Sequence, residues 1–129
     1  MKTLTVFAGL VALASAPVMA QTPQVAQGKK LFQQKCAVCH VLPDAAAQAA
    51  RVGPSLQGVV GRKAGTSPTF PRYSAAMKKH GAVWTEANLD KYLDNPRAVV
   101  KGTTMAFVGL KQPAERAAVI AYLKSTGKK

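Results

Sequence analysis

Cys36-Ala37-Val38-Cys39-His40 is the most informative stretch of this sequence. The apolar positions before it are spaced by three and four residues, which predicts a helix leading into it. If that helix continues, Cys36 and Cys39 are near neighbours on one face, and His40 lies on the same face one turn after Cys36. Two thiols and one imidazole are therefore expected to point in the same direction.

The C-x-x-C-H pattern is the attachment signature of c-type haem. Two thiols at this spacing can reach two vinyl groups on one ring edge and form thioethers, and the imidazole that follows can ligate the iron axially. We therefore predict one haem c, bound covalently through two thioethers at Cys36 and Cys39, with His40 as an iron ligand.

A C-x-x-C pair has three other uses: a thioredoxin-like dithiol, half of a zinc site and an ordinary disulfide. The dithiol belongs beside a βαβ pattern, and the sequence has no strand pattern. A closed zinc site needs four ligands, but beyond the motif the chain offers no further Cys and one further His, and no spacing suggests such a site. A histidine directly after the pair, in a chain with an export signal, favours haem over all three.

Residues 1–20 have the pattern of a secretory signal peptide. Lys2 supplies the positive charge, a long uncharged run follows, and Val18-Met19-Ala20 precedes a cleavage point. We predict cleavage near Ala20, a single domain over residues 21–129, and export to the periplasm. An uncleaved anchor is the alternative, but the run is short and diluted by small residues, so no stable membrane insertion is expected.

Helical patterns dominate the rest of the chain and predict an all-α fold. Thr85 is a suitable N-cap for a helix through Tyr92. That helix must end near Asn95-Pro96, because the residue before a proline disfavours the α region. Pro113 suits the first turn of a last helix, which we expect Gly127 to stop.

Residues 51–72, punctuated by glycine and proline, and residues 97–111, which contain Gly102 and Gly109, are predicted as loops. So many loop residues in a small domain need a body to wrap around. The helices also bury too little among themselves, and a haem would complete the core.

The second iron ligand is expected from a soft side chain of the mature chain, where Met77 and Met105 are the candidates. Methionine is a common partner of histidine on haem c. Met105 lies in a loop beside Gly102, where it can approach a ring freely, whereas Met77 is expected to pack in a helix. His80 is expected to be a solvated loop residue. We predict Met105 as the ligand.

The chain has 129 residues with 18 Lys+Arg and 5 Asp+Glu, a formal net charge of +13. That length is enough for one domain and excludes a large multidomain enzyme. The basic excess predicts acidic partners without specifying their kind. A nucleic-acid-binding module gains support only from the charge, since no binding motif is present, so no nucleic-acid partner is predicted.

In order along the chain, these motifs resemble class I cytochrome c, in particular the mitochondrial-like bacterial type that includes cytochromes c2 and c550. The resemblance runs from about Gln27 to Lys124. The motifs that carry it are Gly28-Lys29-Lys30-Leu31-Phe32, Cys36-Ala37-Val38-Cys39-His40, Gly53-Pro54-Ser55-Leu56, Gly61-Arg62-Lys63, Trp84, Tyr92, Asn95-Pro96, Gly102-Thr103-Thr104-Met105 and Ile120-Ala121-Tyr122-Leu123-Lys124.

The resemblance implies a small cytochrome c fold, with three main helices, short helical turns and long loops around one haem. It implies that the first helix, through Gly28 and Phe32, crosses the last helix at Val119 and Tyr122. It also implies roles around the haem. The carbonyl of Pro54 would accept a hydrogen bond from the spare N–H of His40. The propionates would accept hydrogen bonds from Arg62, Tyr73 and Trp84. Tyr92 and Thr103 would lie near the methionine, and Phe107 would lie beside the exposed haem edge.

The function implied is that of a soluble electron carrier, monomeric and not an enzyme, between a quinol-oxidising bc1-type complex and a terminal oxidase or photosynthetic reaction centre. A basic ring around the haem edge would dock on acidic faces of these membrane complexes. The residues assigned to it are Lys30, Lys35, Arg97, Lys101 and Lys111. The competing hypothesis is a peroxidase or gas binder with a vacant sixth iron position.

Two positions depart from the family pattern. Lys101 stands where the family often has proline, which predicts a looser and more basic methionine loop. Met77 stands where mitochondrial relatives usually have asparagine near a buried water, which predicts a drier pocket.

Overall fold

The computed structural model of the chain describes residues 21–45 and 51–127. The predicted signal peptide, residues 1–20, lies outside them. Within those two ranges five helices follow one another: α1 (Pro23–Lys35), α2 (Ala75–His80), α3 (Glu86–Asp94), α4 (Pro96–Val99) and α5 (Pro113–Ser125). Within the described residues the extended pairing is a single antiparallel bridge between Lys63 and Val83. The all-α prediction, with three main helices and long loops, is confirmed.

The two longest helices, α1 and α5, cross where Gly28 meets Ala118. A Cβ atom built on Gly28 would lie 2.6 Å from the carbonyl carbon of Ala118 and 2.9 Å from Cβ of Tyr122. Beside this contact the rings of Phe32 and Tyr122 meet edge to face, with centroids 5.6 Å apart. The crossing was expected at Val119 and Tyr122. Tyr122 is part of it, but the closest backbone approach is at Ala118, because the glycine faces the Ala118 carbonyl.

Side-chain caps mark the starts of α1 to α4, whereas the N-cap residue of α5, Gln112, makes no side-chain cap bond. Thr85 accepts a hydrogen bond from the amide of Asn88 at 3.1 Å and starts α3, as predicted. The prediction of a loop directly after Asn95-Pro96 is wrong, because α4 forms one further turn there. Asn95 caps that turn by accepting from the amide of Ala98 at 3.2 Å, and Pro96 occupies its first position.

The last helix ends before the glycine that was expected to stop it. α5 finishes at Ser125 and Thr126 is its C-cap, so Gly127 lies beyond the cap. The side chain of Thr126 bonds the carbonyl of Leu123 at 2.8 Å, which satisfies one of the free carbonyls at the helix end.

The core lies where α5 packs against α1 and against α3, and it is built from large side chains that are almost fully enclosed. Phe32 and Tyr122 are 0% exposed and Val119 is 1% exposed. The loops before α2 and after α4 pack against this core and enclose a cavity next to it. Among the residues described, we find no helix with both the length and the apolar character needed to cross a bilayer.

Candidate functional site

The cavity is walled by four parts of the chain: the turn after α1, the loop of residues 52–73, helices α2 and α3, and the segment after α4. Every residue predicted to bind the haem or its iron contributes to its lining. These residues are Cys36, Cys39, His40, Pro54, Arg62, Tyr73, Trp84, Tyr92, Thr103, Met105 and Phe107. Segments that are far apart in sequence therefore meet around one largely apolar space.

The two cysteines lie in a turn that follows α1 rather than inside the helix. Cys36 is the C-cap, and the amide of Ala37 bonds back to the carbonyl of Phe32 at 2.9 Å. The amides of Cys39 and His40 then both bond to the carbonyl of Cys36, at 3.0 and 2.9 Å. The expectation of a continuous helix through the motif is corrected, but this turn still places both cysteines and the histidine on the cavity wall.

Both cysteines are free thiols. Burial raises the pKa of Cys36 to about 11, and the neighbouring charge of Lys35 only partly offsets that effect. The Cys36 thiol is therefore protonated at neutral pH, which makes it a poor nucleophile for disulfide exchange.

His40 is held in one orientation by the loop that follows it. Its Nδ1–H donates to the carbonyl oxygen of Pro54 at 2.7 Å, so the other ring nitrogen, Nε2, keeps its lone pair for a ligand. Burial lowers the pKa of His40, and the bond to Pro54 opposes that shift. The ring is thus neutral and oriented, as an iron ligand must be.

Gly53 leaves the space that the His40 ring occupies. A Cβ atom on Gly53 would lie 2.5 Å from Cε1 and 2.8 Å from Nδ1 of that ring. The amide of Gly53 also bonds to the carbonyl of Cys39 at 2.9 Å, which pins the loop against the motif. A side chain at this position would displace the imidazole.

Met105 reaches the cavity from the segment after α4. Its sulfur accepts a hydrogen bond from the hydroxyl of Tyr92 at 3.4 Å, and its amide donates to Oγ1 of Thr103 at 3.2 Å. Burial raises the pKa of Tyr92, which keeps its hydroxyl protonated as a donor. Met77 also lines the cavity, from α2, and packs against the core as expected.

The three residues expected near the propionates already have partners. The Arg62 guanidinium donates to the carbonyls of Gln57 at 3.2 Å and Ser55 at 3.1 Å. The hydroxyl of Tyr73 accepts from the amide of Ser67 at 3.2 Å. The ring of Trp84 lies 4.8 Å from that of Tyr92, centroid to centroid. These contacts hold all three side chains in fixed positions at the cavity.

His80 is not the solvated loop residue that was expected. It is the last residue of α2, it is half-buried, and its ring lies 5.5 Å from that of Trp84. The helix continues to it because Gly81 takes the left-handed conformation, with φ 58°, that ends the turn.

Four of the predicted docking side chains, those of Lys30, Lys35, Arg97 and Lys101, are exposed. Lys35 also lines the cavity. Lys111 is exposed too, but its ammonium group is bound to Asp94 through the backbone carbonyl and lies 3.7 Å from the carboxylate. Its charge is thus partly neutralised, which makes it a weaker docking group than the other four.

Four hydrogen bonds near the motif were not predicted. The Arg51 guanidinium donates to the carbonyl of Ala37 at 3.0 Å, and Arg72 donates to the carbonyl of Arg51 at 2.9 Å. Asp44 joins the loop after the motif to two helices, because it accepts from Lys29 at 2.6 Å and from the Tyr122 hydroxyl at 2.9 Å. Only the placement of Asp44 shortly after His40 hinted at a structural role.

These residues fit a c-type haem. A covalently held macrocycle needs two free thiols, an oriented neutral imidazole, a second soft ligand and an apolar enclosure, and the cavity brings all of them together. The cradle that Gly53 leaves for the His40 ring supports the same assignment.

Comparison with known proteins agrees with this fit. A family model described as Cytochrome c matches residues 25–127. A protein named Cytochrome c2, from Rhodomicrobium vannielii, is 54% identical over 97 residues, covering 75% of this chain and 74% of that protein. Cytochrome c2 of Afifella marina is 49% identical over 104 residues, covering 78% and 81%. Cytochrome c of Sesamum indicum is 47% identical over 100 residues, covering 78% and 87%.

Proposed function

This chain belongs to the cytochrome c family, and from that premise we propose that it carries single electrons through one haem c, bound at Cys36 and Cys39 with His40 and Met105 as iron ligands. When bound, the haem supplies a one-electron ferric/ferrous couple. The observation that carries the proposal is the convergence of two free thiols, the oriented imidazole and the hydrogen-bonded thioether on one cavity.

The residues around each ligand would adjust how the iron is held. The carbonyl of Pro54 fixes the ring of His40 and increases the basicity of Nε2. The hydroxyl of Tyr92 withdraws electron density from the Met105 sulfur, which favours the less charged ferrous state. The apolar wall of the cavity favours the same state, because burial penalises net charge.

The absence of enzyme activity follows from the two axial ligands that we propose. With His40 and Met105 both on the iron, no position remains for a substrate, and only outer-sphere electron transfer is left. The competing function, a peroxidase or gas binder, requires that Met105 does not ligate the iron. The hydrogen bonds at its sulfur and amide favour a ligand role, because both restrain the side chain at the cavity.

The donor and acceptor that we propose are membrane redox complexes with acidic faces, a quinol-oxidising bc1-type complex and a terminal oxidase or reaction centre. We place the protein in the periplasm as a monomer, after removal of residues 1–20. The docking face would consist of Lys30, Lys35, Arg97, Lys101 and, more weakly, Lys111. The ion pairs support this, since within the described residues none of them involves Lys30, Lys35, Arg97 or Lys101.

The test is mass spectrometry and visible spectroscopy of protein expressed in a periplasm. We expect a mature chain starting near Gln21, one haem retained after denaturation, and a low-spin ferric spectrum with the weak methionine–iron charge-transfer band. Met105→Ala should convert that spectrum to high spin and admit cyanide readily, whereas Met77→Leu should leave it low-spin. A high-spin wild-type protein would establish the vacant-site hypothesis instead.

The docking proposal is tested separately by electron transfer to a solubilised oxidase at increasing ionic strength. The rate should fall steeply, because long-range attraction between exposed charges is screened beyond about 10 Å at 0.1 M salt. Replacing Lys101 by Gln should slow transfer at low salt, and Lys63→Gln is a matched exposed lysine for comparison. A rate that does not respond to salt would exclude docking through the basic face.

A further inference from the structure

Arg116 of α5 is a charged side chain that is partly buried, with 11% of the side chain exposed. Its Nε donates to Oδ1 of Asp90 at 2.7 Å, on α3. Its Nη1 donates to two backbone carbonyls outside any helix, those of Leu110 at 3.0 Å and Lys111 at 3.2 Å. One guanidinium group therefore joins α3, α5 and the segment that runs between α4 and α5.

That segment, residues 100–112, is the one that carries Met105 into the cavity. Near its far end, Gly109 adopts a φ of 101° and lies so close to α3 that a Cβ would be 2.7 Å from the carbonyl carbon of Asp94. The amide of Leu110 bonds to the carbonyl of Leu93 at 2.7 Å. The carbonyls that Arg116 holds come directly after this contact, so Arg116 fastens the point where the segment rejoins the helices.

The end of the segment that follows α4 is held by contacts of another kind. The amide of Thr103 bonds to the carbonyl of Val100 at 3.0 Å, and a Cβ on Gly102 would lie 3.3 Å from Cβ of Ala76 on α2. These are a backbone turn and a van der Waals contact. Arg116 supplies charged hydrogen bonds at the other end of the segment, where the loss of its side chain would leave two backbone carbonyls without their hydrogen bonds to it.

We propose that Arg116 is a positioning residue for Met105: by clamping the carbonyls of Leu110 and Lys111 onto α3 and α5, it determines how often the segment opens and how readily Met105 leaves the iron. The inference rests on the proposed role of Met105 as a ligand. When the segment opens, the guanidinium loses both carbonyl bonds while the bond to Asp90 can persist, so the clamp stabilises the closed state selectively.

The chemistry of the clamp requires arginine. A planar guanidinium can donate from separate nitrogens to a carboxylate and to carbonyls at once, whereas a lysine ammonium is a compact charge on a flexible stem. Lysine at position 116 would preserve the positive charge beside Asp90 and Asp94, but it could not donate from separate nitrogens of one planar group. Arg116→Lys thus separates loss of geometry from loss of charge.

The experiment is the rate of cyanide binding to the ferric, haem-containing protein, because cyanide can bind only after Met105 has left. We expect Arg116→Gln to raise that rate about tenfold, in line with the loss of a hydrogen-bonded charge contact, and Arg116→Lys to raise it less. Hydrogen exchange of the Leu110 amide should accelerate in parallel. That second readout does not depend on the haem spectrum.

Two controls separate the clamp from general destabilisation. Lys124→Gln removes another α5–α3 ion pair, 2.8 Å from Glu86, that does not touch the segment. Ile120→Val removes a methylene from the buried face of α5 and should lower overall stability. Neither should raise the cyanide rate or the Leu110 exchange rate as Arg116→Gln does.

The proposal fails if Ile120→Val raises both rates as much as Arg116→Gln at a matched loss of stability, or if both arginine variants keep the wild-type rates. If Arg116→Gln does not yield folded protein, the cyanide-binding and Leu110 exchange rates of Arg116→Lys are compared with those of Ile120→Val in the same way, and that comparison tests the proposal. The wild-type charge-transfer band is measured first. If it is missing, the assignment of Met105 has failed, and exchange at Leu110 still reports on the clamp itself.

Discussion

The hydroxyl of Tyr92 donates a hydrogen bond to the sulfur of Met105 at 3.4 Å, although the two residues belong to different segments around the cavity. A donor on a coordinating thioether makes the sulfur a poorer electron donor and therefore disfavours ferric iron. Tyr92→Phe should lower the reduction potential by roughly 20–40 mV, which is about 0.5–1 kcal/mol for a one-electron couple. Protein-film voltammetry measures this directly.

Tyr122→Phe is the matched control for that measurement. Tyr122 is equally buried, but its hydroxyl bonds to Asp44 and it does not line the cavity. Its replacement should lower the free energy of unfolding and leave the potential unchanged. Equal shifts of potential in both variants would mean that Tyr92 acts through overall stability rather than through the sulfur.

Gly28→Ala should destabilise the protein by about 1–3 kcal/mol, measured by urea unfolding. Alanine is the better helix former by up to about 1 kcal/mol, but the new methyl group would meet backbone atoms of Ala118, which cannot move aside as a flexible side chain could. Gln27→Ala, at an exposed position of α1, serves as the control and should be neutral or slightly stabilising. An unchanged Gly28→Ala midpoint would contradict the close crossing.

Gly53→Ala should disturb His40, because the added Cβ would lie 2.5 Å from Cε1 of the ring. We expect a lower yield of haem-containing protein and a smaller low-spin fraction in its ferric spectrum. Gln57→Ala is the control in the same loop, since the Gln57 side chain is exposed and does not line the cavity. A normal low-spin spectrum in Gly53→Ala would contradict this prediction, because it would mean that the His40 ring can shift and still ligate the iron.

Asp44 should contribute a pH-dependent part of the stability. Burial alone would raise the pKa of Asp44, but the bonds from Lys29 and Tyr122 outweigh it and hold the pKa below its usual value. A carboxylate with a lowered folded-state pKa stabilises the fold above its unfolded pKa of about 3.9, and that stabilisation disappears as the pH falls through the folded value.

Asp44→Asn should therefore be less stable than the wild type by about 1 kcal/mol at pH 7, and the difference should shrink as the pH falls below the unfolded pKa of about 3.9. Urea unfolding at several pH values measures the gap, and Lys30→Gln, which removes an exposed neighbour of Lys29, is the comparison. A gap that stays constant down to pH 3 would mean that the carboxylate has no lowered pKa.

Much of the site could be predicted because its chemistry is local. The spacing within Cys36–His40 determines that the thiols and the imidazole share a side, even though the helix ends at Lys35 and a turn completes the motif. The starts of α3 after Thr85 and of α5 at Pro113 could also be predicted, because N-cap residues and prolines affect only the next few residues. The extra turn after Asn95 was missed, because Asn95-Pro96 can both end one helix and begin another.

The sequence by itself therefore determined the three main helices, the attachment motif and the membership of the family, because each depends on short-range geometry or on an ordered set of motifs. Only the tertiary structure decided which atoms meet: Asp44 with Tyr122, 78 residues later, the Arg116 guanidinium with the Leu110 carbonyl, and the Tyr92 hydroxyl with the Met105 sulfur. Those contacts depend on how helices cross and where loops return, and long-range packing sets both.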